Sequence, residues 1–255
     1  MKFDVMEFDL AEQRAGAREQ LRIADLMSLA PGGDRVLEIG ARDCYLSRRL
    51  TALYGEVTAL DLRKPEIDEP GIVPVQGDVT ALDFADGSFD TVFCTEVLEH
   101  VPPQKLRQAC GEIARVASRW ALIGVPYRQD LRANRTRCAR CGAVNPTTGH
   151  LSRFDRGRLE ELFPGMEVRD ARLVGRGQAV TNPLSVFLYR YPYGSYAQEE
   201  GCVRCGAKLV RPEIGPLKWA VCFPARALNR IQYLLYGRRR PLWIHVLFEK
   251  KARTQ

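Results

Sequence analysis

Long apolar segments are missing from this chain of 255 residues. No uninterrupted apolar run approaches the roughly 20 residues that a helix needs to span a bilayer. The N-terminal stretch MKFDVMEFDL carries three acids and no long apolar core, so we do not expect a secretory signal peptide. These absences favour a cytoplasmic protein. Because 45% of the residues are hydrophobic, the chain can bury a full core, and we expect one large domain with elaborations.

The glycine pattern G-x-G-x-x-G is also missing, because Arg42 and Cys44 stand where glycines would follow Gly40. This absence disfavours a nicotinamide cofactor. The segment instead reads as a strand, a tight turn at Gly40, a helix and a second strand that ends at Asp61. A glycine at such a turn brings backbone close to a ligand, and an acid about 20 residues later can bind a ribose hydroxyl pair. The pattern predicts a site for a nucleoside cofactor.

Strands and helices alternate along the chain. The predicted strands are 35–39, 57–61, 72–75, 89–94, 119–125, 167–174 and 241–251. The predicted helices are 11–29, 44–53, 104–117 and 156–163. Such alternation implies right-handed crossovers and a mostly parallel sheet that helices cover on both faces.

A second block, GDVTALDFADGSFDTVFCTEVLEHV, follows in the same order and spacing as in a known family. With this block, residues 30–175 resemble the class I S-adenosylmethionine-dependent methyltransferases. The resemblance implies an α/β fold with a doubly wound, Rossmann-like sheet of seven strands, the last two forming a hairpin at its edge. It implies that Asp61 binds the cofactor ribose and that Asp78 faces the adenine. The implied cofactor residues are Glu38, Gly40, Ala41, Asp61, Leu62, Asp78, Val79 and Cys94.

Two stretches, 126–149 and 175–240, have no counterpart in the pattern of that family, and we expect them to be insertions. We expect an N-terminal helical cap, a cofactor-binding core, a first insertion, a continuation of the core, a second insertion with an amphipathic helix, and a final edge strand with a tail. Their expected bounds are 1–29, 30–125, 126–149, 150–174, 175–240 and 241–255.

The two insertions carry the paired cysteines of CARCG and CVRCG. Each pair resembles a zinc knuckle, in which glycine permits the tight backbone. Two knuckles supply the four sulfurs of a closed tetrahedral site, so we expect a structural Zn²⁺ that joins the insertions. Buried free thiols and a redox disulfide remain alternatives. The expected ligands are Cys138, Cys141, Cys202 and Cys205.

Two carboxylates and two imidazoles are the catalytic candidates. Glu96, Glu99 and His100 stand at i, i+3 and i+4, which places them on one face of a helical turn, and His150 follows in the first insertion. They could act as a base with orienting acids, or bind Mg²⁺ or Mn²⁺. A similar metal-binding ExxEH occurs in small-RNA 2′-O-methyltransferases, whereas related patterns occur in quinone and sugar methyltransferases. We expect His100 to be the base or a metal-bound orienter with help from His150; capping and core roles remain alternatives.

The acceptor follows less directly from the sequence. We expect O-methylation of a small polyhydroxylated molecule or a sugar, with RNA and a catalytically inactive interaction protein as alternatives. Residues 216–236 interleave apolar with basic side chains before GRRRP, and Pro224 interrupts the helical pattern. This segment either covers the sheet edge or the active site, or forms an interfacial helix at a membrane. In the second case, the acceptor could be a lipid-linked glycan.

Overall fold

A central sheet organises the computed structural model, which describes residues 14–132, 135–146, 148–188, 201–209 and 216–251. In chain order the strands are β1 (Gly33–Ile39), β2 (Tyr54–Asp61), β3 (Ile72–Gln76), β4 (Phe89–Thr95), β5 (Ala117–Pro126), β6 (Arg135–Arg137), β7 (Val144–Pro146), β8 (Met166–Val174) and β9 (Trp243–Lys250). Seven of them form the main sheet in the order β3-β2-β1-β4-β5-β9-β8. The first five are parallel, and β9 runs antiparallel to β5 and β8. The predicted mostly parallel sheet with a hairpin at its edge is confirmed, but the expectation of a final edge strand is wrong, because β9 lies between β5 and β8, and β8 forms the edge.

Helices cover both faces of this sheet. They are α1 (Ala17–Leu29), α2 (Tyr45–Leu50), α3 (Leu106–Val116), α4 (Arg156–Leu162), α5 (Pro183–Leu188) and α6 (Pro216–Leu235), with 3₁₀ turns at Pro103–Lys105 and Gly237–Arg239. In β1, Val36 packs into one core cluster and Leu37 and Ile39 into the other. A strand buried on both sides reads as a continuous apolar run, which is why the sequence located β1 well.

The insertions pack against each other beyond the carboxyl ends of the strands. The first contains the hairpin of β6 and β7, which was not predicted because strands of three residues give too little pattern. In the second, the side-chain amide of Gln178 donates to the carbonyl of Tyr127 at the end of β5. The Asn182 amide donates to Gln232 Oε1 over 2.8 Å and thereby ties α6 to the segment before α5. The bounds of the six proposed segments stay a prediction.

Two predicted pieces lie outside the described residues, namely the start of the N-terminal helix before residue 14 and the tail after residue 251. Among the described helices, none is long and apolar enough to cross a membrane. The strand order reverses between β1 and β4, which run side by side but connect to opposite halves of the sheet. Ligands bind at the carboxyl ends of strands at such a reversal. The candidate site lies there.

Candidate active site and metal centre

A cavity of about 510 Å³ opens at the carboxyl ends of β1, β2 and β4. Its volume lies within the range of about 300–1,000 Å³ that is usual for sites of small ligands. Five predicted cofactor residues line it: Gly40, Asp61, Leu62, Asp78 and Val79. Glu96 and His100 line it from the segment after β4, and Thr148 and Gly149 from the first insertion.

The loop after β1 has left-handed backbone at three positions, of which only one is glycine. Gly40 has φ +84°, and a Cβ there would stand 2.4 Å from Val97 Cγ2, so no other residue fits without rearrangement. Arg42 (φ 44°) and Cys44 (φ 56°) also adopt left-handed backbone, which costs roughly 1–3 kcal/mol for each residue. The Arg42 N–H donates to Asp61 Oδ2 over 2.9 Å and fixes the loop to the end of β2. Cys44 is buried, so its side chain does not crowd the cavity.

Three other predicted cofactor residues are placed behind the cavity rather than on its wall. Glu38 is buried at the end of β1 and accepts a hydrogen bond from the Ser47 hydroxyl. Burial raises the pKa of Glu38 to about 7. Ala41 packs into the core cluster beneath α2, and Cys94 lies in the cluster on the opposite face of the sheet. These side chains support the cavity from behind.

Asp78 is held by the turn that follows β3. Its Oδ1 accepts from the backbone N–H of Thr80 over 2.8 Å and from the Thr80 hydroxyl over 2.9 Å. A carboxylate that caps its own turn in this way keeps a fixed orientation. Asp78 and Asp61 therefore line the cavity from the ends of neighbouring strands with both positions restrained.

Three of the four predicted catalytic side chains meet beside this cavity. One potential ligand atom from each of Glu99, His100 and His150 lies within 4.8 Å of the others. The rings of His100 and His150 are edge to face, with centroids 4.8 Å apart. Glu96 precedes this turn with left-handed backbone (φ 57°) and is not part of this cluster of ligand atoms. It still lines the cavity, with a pKa that burial raises.

Glu99 is buried, His100 and His150 are partly buried, and burial sets the protonation of Glu99 and His150. Both carboxyl oxygens of Glu99 are inaccessible and have no hydrogen-bond partner among the described residues. Burial, followed by the charge of Glu96, raises the Glu99 pKa well above its ordinary value. Burial and then the charge of His100 lower the pKa of His150 to about 4, so His150 is neutral at pH 7. A buried carboxyl without partners is costly, so a proton, a water or a metal ion is expected there.

The position of His150 depends on residues that the sequence did not single out. Gln129, just beyond β5, places its Oε1 against His150 Nδ1. Because an amide oxygen only accepts, Nδ1 carries the proton and Nε2 keeps its lone pair. The backbone N–H of Leu151 donates to the Glu99 carbonyl over 2.6 Å, which ties the insertion to the turn after β4. The one signal that could have pointed to Gln129 is its position as a polar residue shortly after a strand end.

The four predicted zinc ligands also come together. The Sγ atoms of Cys138 and Cys205 are 3.7 Å apart, and those of Cys141 and Cys202 are 3.6 Å apart. All four sulfurs lie within 4.8 Å of one another. Zinc bound to four thiolates at about 2.3 Å separates them by about 3.8 Å, whereas a disulfide brings sulfurs to about 2.05 Å. The arrangement therefore has the size of a tetrahedral zinc site.

The two knuckles share one backbone conformation. Gly142 and Gly206 have φ values of 70° and 68°, and each donates its N–H to the carbonyl of the first cysteine of its pair. Asn145 joins the knuckles, because its Oδ1 accepts from Val203 N–H over 2.9 Å and its amide contacts Cys202 Sγ at 3.5 Å. Although burial opposes it, N–H donors such as Arg204 lower the pKa of Cys202 to about 6. Thiolate is the form that binds a metal.

Comparison with known proteins finds similarity over the core. Residues 37–121 match the family model described as a methyltransferase domain. This segment is similar to methyltransferase domains. A chain from the complex between the Haloferax volcanii Trm112 methyltransferase activator and a putative methyltransferase superposes with a TM-score of 0.57 at 14% identity, over 96% of this chain and 94% of that chain. An S-adenosylmethionine-dependent methyltransferase from Mesorhizobium loti gives 0.54 at 14% identity, over 92% and 99% of the two chains. At such identities, the likeness establishes the methyltransferase fold alone.

Curated relatives match over the domain only. The ubiquinone biosynthesis O-methyltransferase of Xanthomonas axonopodis pv. citri is 36% identical over 99 residues, which is 34% of this chain and 41% of the relative. Sterol methyltransferase-like 2 of Botryococcus braunii is 33% identical over 118 residues, which is 42% of this chain and 30% of the relative. The chain thus spans less than half the length of these relatives. The insertions fall largely outside the matched methyltransferase domain.

Proposed function

We propose that this protein transfers the methyl group of S-adenosylmethionine to a hydroxyl oxygen of a small molecule. The proposal rests on one observation, namely that the predicted cofactor residues and a predicted catalytic histidine line the same cavity. The cavity lined by Gly40, Asp61 and Asp78 is also lined by His100, whose ring meets that of His150. The proposed cofactor residues and one candidate base, His100, therefore line the same cavity, and His150 contacts that base.

The residues of the cavity suit the cofactor. Gly40 leaves the backbone accessible, Asp61 offers a carboxylate for the ribose hydroxyls, and Leu62 and Val79 add apolar surface beside Asp78 for the adenine. When bound, the cofactor's sulfonium supplies an activated methyl group. The residues of this chain then have to hold the acceptor in line and take up its proton.

We assign proton removal to His100, with His150 as the residue that orients it or the acceptor. An alcohol keeps its proton at pH 7, so oxygen transfer needs a nearby base more than nitrogen transfer does. His150 is neutral at this pH and is held by Gln129, which leaves its Nε2 as an acceptor. Glu99 lies within 4.8 Å of a ring nitrogen of both histidines, and because burial keeps its carboxyl protonated, it is suited to donate a hydrogen bond that orients an imidazole.

The same trio supports a second form of the mechanism. A carboxylate and two imidazoles within 4.8 Å form a suitable ligand set for Mn²⁺, and the unpartnered oxygens of Glu99 would gain ligand bonds. A divalent ion there would lower the pKa of an acceptor hydroxyl. Mg²⁺ prefers oxygen ligands and fits this set less well. Dialysis against EDTA separates the two forms, because only the metal-dependent enzyme would lose turnover and regain it with Mn²⁺.

For the second metal centre, we propose a structural Zn²⁺ bound by Cys138, Cys141, Cys202 and Cys205. Its support is the tetrahedral spacing of the sulfurs and the matched backbone of the two knuckles. Free energies for structural zinc are on the order of 10 kcal/mol, which is enough to hold two insertions together. A reducing compartment such as the cytoplasm keeps thiols available for the metal.

The chemical class of the methyl acceptor is the least constrained part of the proposed function. A small polyhydroxylated molecule, such as a sugar, is our choice because the described cavity is a concave site of small-molecule size. The relative named as a ubiquinone biosynthesis O-methyltransferase supports oxygen as the accepting atom. An extended basic groove with stacking aromatics, as RNA recognition would require, is not among the features found in the described residues.

Titration calorimetry with S-adenosylmethionine tests whether the protein binds the proposed cofactor. We expect a single binding event, and we expect Asp61→Asn to weaken it by roughly 10- to 100-fold, because a charged hydrogen bond contributes about 1.5–3 kcal/mol. Asp68→Asn, at an exposed position, is the matched control and should bind as the unaltered chain does. Absence of binding heat would instead support a zinc-stabilised interaction protein without catalysis.

A further inference from the structure

Helix α6 leaves an apolar stripe on the surface. Leu228, Ile231, Leu234 and Leu235 are 37%, 55%, 42% and 62% exposed. These residues follow one another at spacings of three and four along 228, 231 and 235, which places them on one side of the helix. The opposite side is buried through residues such as Ala225. Helix α6 is therefore anchored by one face and presents the other as an apolar surface.

The segment that carries this stripe is basic and contains no acids. No aspartate or glutamate stands between Glu213 and Glu249. The stripe ends at Tyr236, which is 60% exposed, and the exposed residues 238–240, all arginine, follow directly. Leu184, from the neighbouring helix α5, adds a further exposed apolar side chain. An apolar face, an aromatic residue at its border and a cationic rim are combined on one side of the protein.

We propose that this face, formed by helix α6 and residues 236–240, binds the surface of an anionic lipid bilayer. Helices that lie in a membrane interface bury an apolar face at the level of the headgroups and pair arginines with lipid phosphates. Trp and Tyr prefer the same level, where Tyr236 would lie. Because α6 packs by its opposite face against the protein, it needs no refolding to bind.

Charge favours a bilayer over a second copy of this chain. A two-fold contact through α6 would bring two sets of Arg238, Arg239 and Arg240 into one interface without acids from the same segment to balance them. An anionic membrane supplies the balancing charge. The chain's formal net charge of +7 also attracts the protein to an anionic membrane, over a longer range.

Helix α6 is joined to the segment after β5 through the second insertion. Asn182, which bonds Gln232 of α6, is near Gln178, whose amide bonds the Tyr127 carbonyl at the end of β5. Binding by α6 would thus hold the insertion side of the molecule towards the lipid. Membrane binding itself requires neither the cofactor nor turnover, so its test is independent of the proposed methyl transfer.

Flotation of the full chain with lipid vesicles tests this proposal. We expect the protein to float with vesicles that contain phosphatidylglycerol and to stay at the bottom with pure phosphatidylcholine. Replacing Arg238, Arg239 and Arg240 together by alanine should weaken binding by about 100-fold, since each basic residue near an anionic surface contributes about a fivefold factor. The double variant Ile231→Glu and Leu235→Glu should abolish flotation.

Two controls make the result specific. Leu173→Glu places the same charge at an apolar position of β8 that is 54% exposed, and this variant should float as the unaltered chain does. Circular dichroism with thermal unfolding reports whether each variant is folded. The proposal is overturned if the unaltered chain stays at the bottom with anionic vesicles, or if Ile231→Glu with Leu235→Glu floats undiminished. It is also overturned if light scattering shows a dimer that this double variant dissociates, since a second copy would then occupy the face.

Discussion

The rings of His100 and His150 meet edge to face with their centroids 4.8 Å apart, although one follows β4 and the other lies in the first insertion. The backbone bond from Leu151 to Glu99 and the contact between His150 and Gln129 hold the two segments in this arrangement. The insertion therefore contributes directly to the candidate active site.

Replacing His100 by alanine should reduce turnover by about 10²- to 10⁴-fold, the usual contribution of a positioned base. Affinity for S-adenosylmethionine should change little, because the proposed cofactor residues lie on other strands. Single-turnover rates together with calorimetry measure the two quantities. Arg107→Ala, at an exposed position of α3, is the control and should leave both unchanged. Undiminished turnover of His100→Ala would end its proposed role.

Gly40→Ala should lose both stability and cofactor affinity. Its Cβ would stand 2.4 Å from Val97 Cγ2, and φ +84° is unfavourable for alanine. We expect unfolding to be easier by about 1–3 kcal/mol. Urea denaturation and calorimetry measure the two losses.

Gly111→Ala is the matched control for that change. Gly111 lies within α3, and no atom lies within 4 Å of the place that a Cβ would occupy, so alanine there should stabilise the protein by about 0.5–1 kcal/mol. Adding Val97→Ala to Gly40→Ala should recover part of the lost stability by removing Cγ2. If it recovers none, the clash is not the cause.

Glu38→Gln should make stability less dependent on pH. Burial raises the Glu38 pKa to about 7 in the folded protein, against about 4.3 in an unfolded chain. The folded state therefore holds a proton that the unfolded state releases, and the associated stability is complete below about pH 4.3 and is lost as the pH rises through 7. The full difference amounts to at most about 3–4 kcal/mol.

Glutamine cannot release that proton, so this part of the pH dependence should disappear. Urea denaturation at pH 5 and pH 8, without cofactor, gives the loss of stability for each protein. We expect the unaltered chain to lose more than Glu38→Gln over this interval. Glu66→Gln, at an exposed position, should behave as the unaltered chain does. Equal losses in the unaltered chain and Glu38→Gln would contradict the raised pKa.

Cys205→Ser should remove zinc and, with it, much of the turnover. The four sulfurs join the two insertions, and the first insertion carries His150. Loss of the metal should therefore misplace the His150 ring. Elemental analysis should find one zinc for each unaltered chain and far less in the variant. Cys110→Ser, in the hydrophobic core, should keep its zinc. A mass lower by two hydrogens, without metal, would indicate a disulfide instead.

The sequence predicted the central sheet well because buried parallel strands carry short, mostly apolar segments, such as VLEI in β1 and VFC in β4. It also grouped the cysteines correctly, since the glycine that follows each pair marks the tight turn of a knuckle. It was less informative about Glu96, because left-handed backbone at that residue departs from the regular helical turn that the spacing implies. Gln129 escaped notice, because no spacing rule links it to His150.

By itself, the amino-acid sequence determined the alternation of strands and helices, the acids at the ends of β2 and β3, and the paired thiols. These depend on local periodicity and on residue chemistry, which a linear pattern records. Only the tertiary structure decided which side chains share the cavity, which of them lie behind it, and which face of α6 stays exposed. Those outcomes depend on packing between segments far apart in the chain, where burial and long-range contacts fix both geometry and pKa.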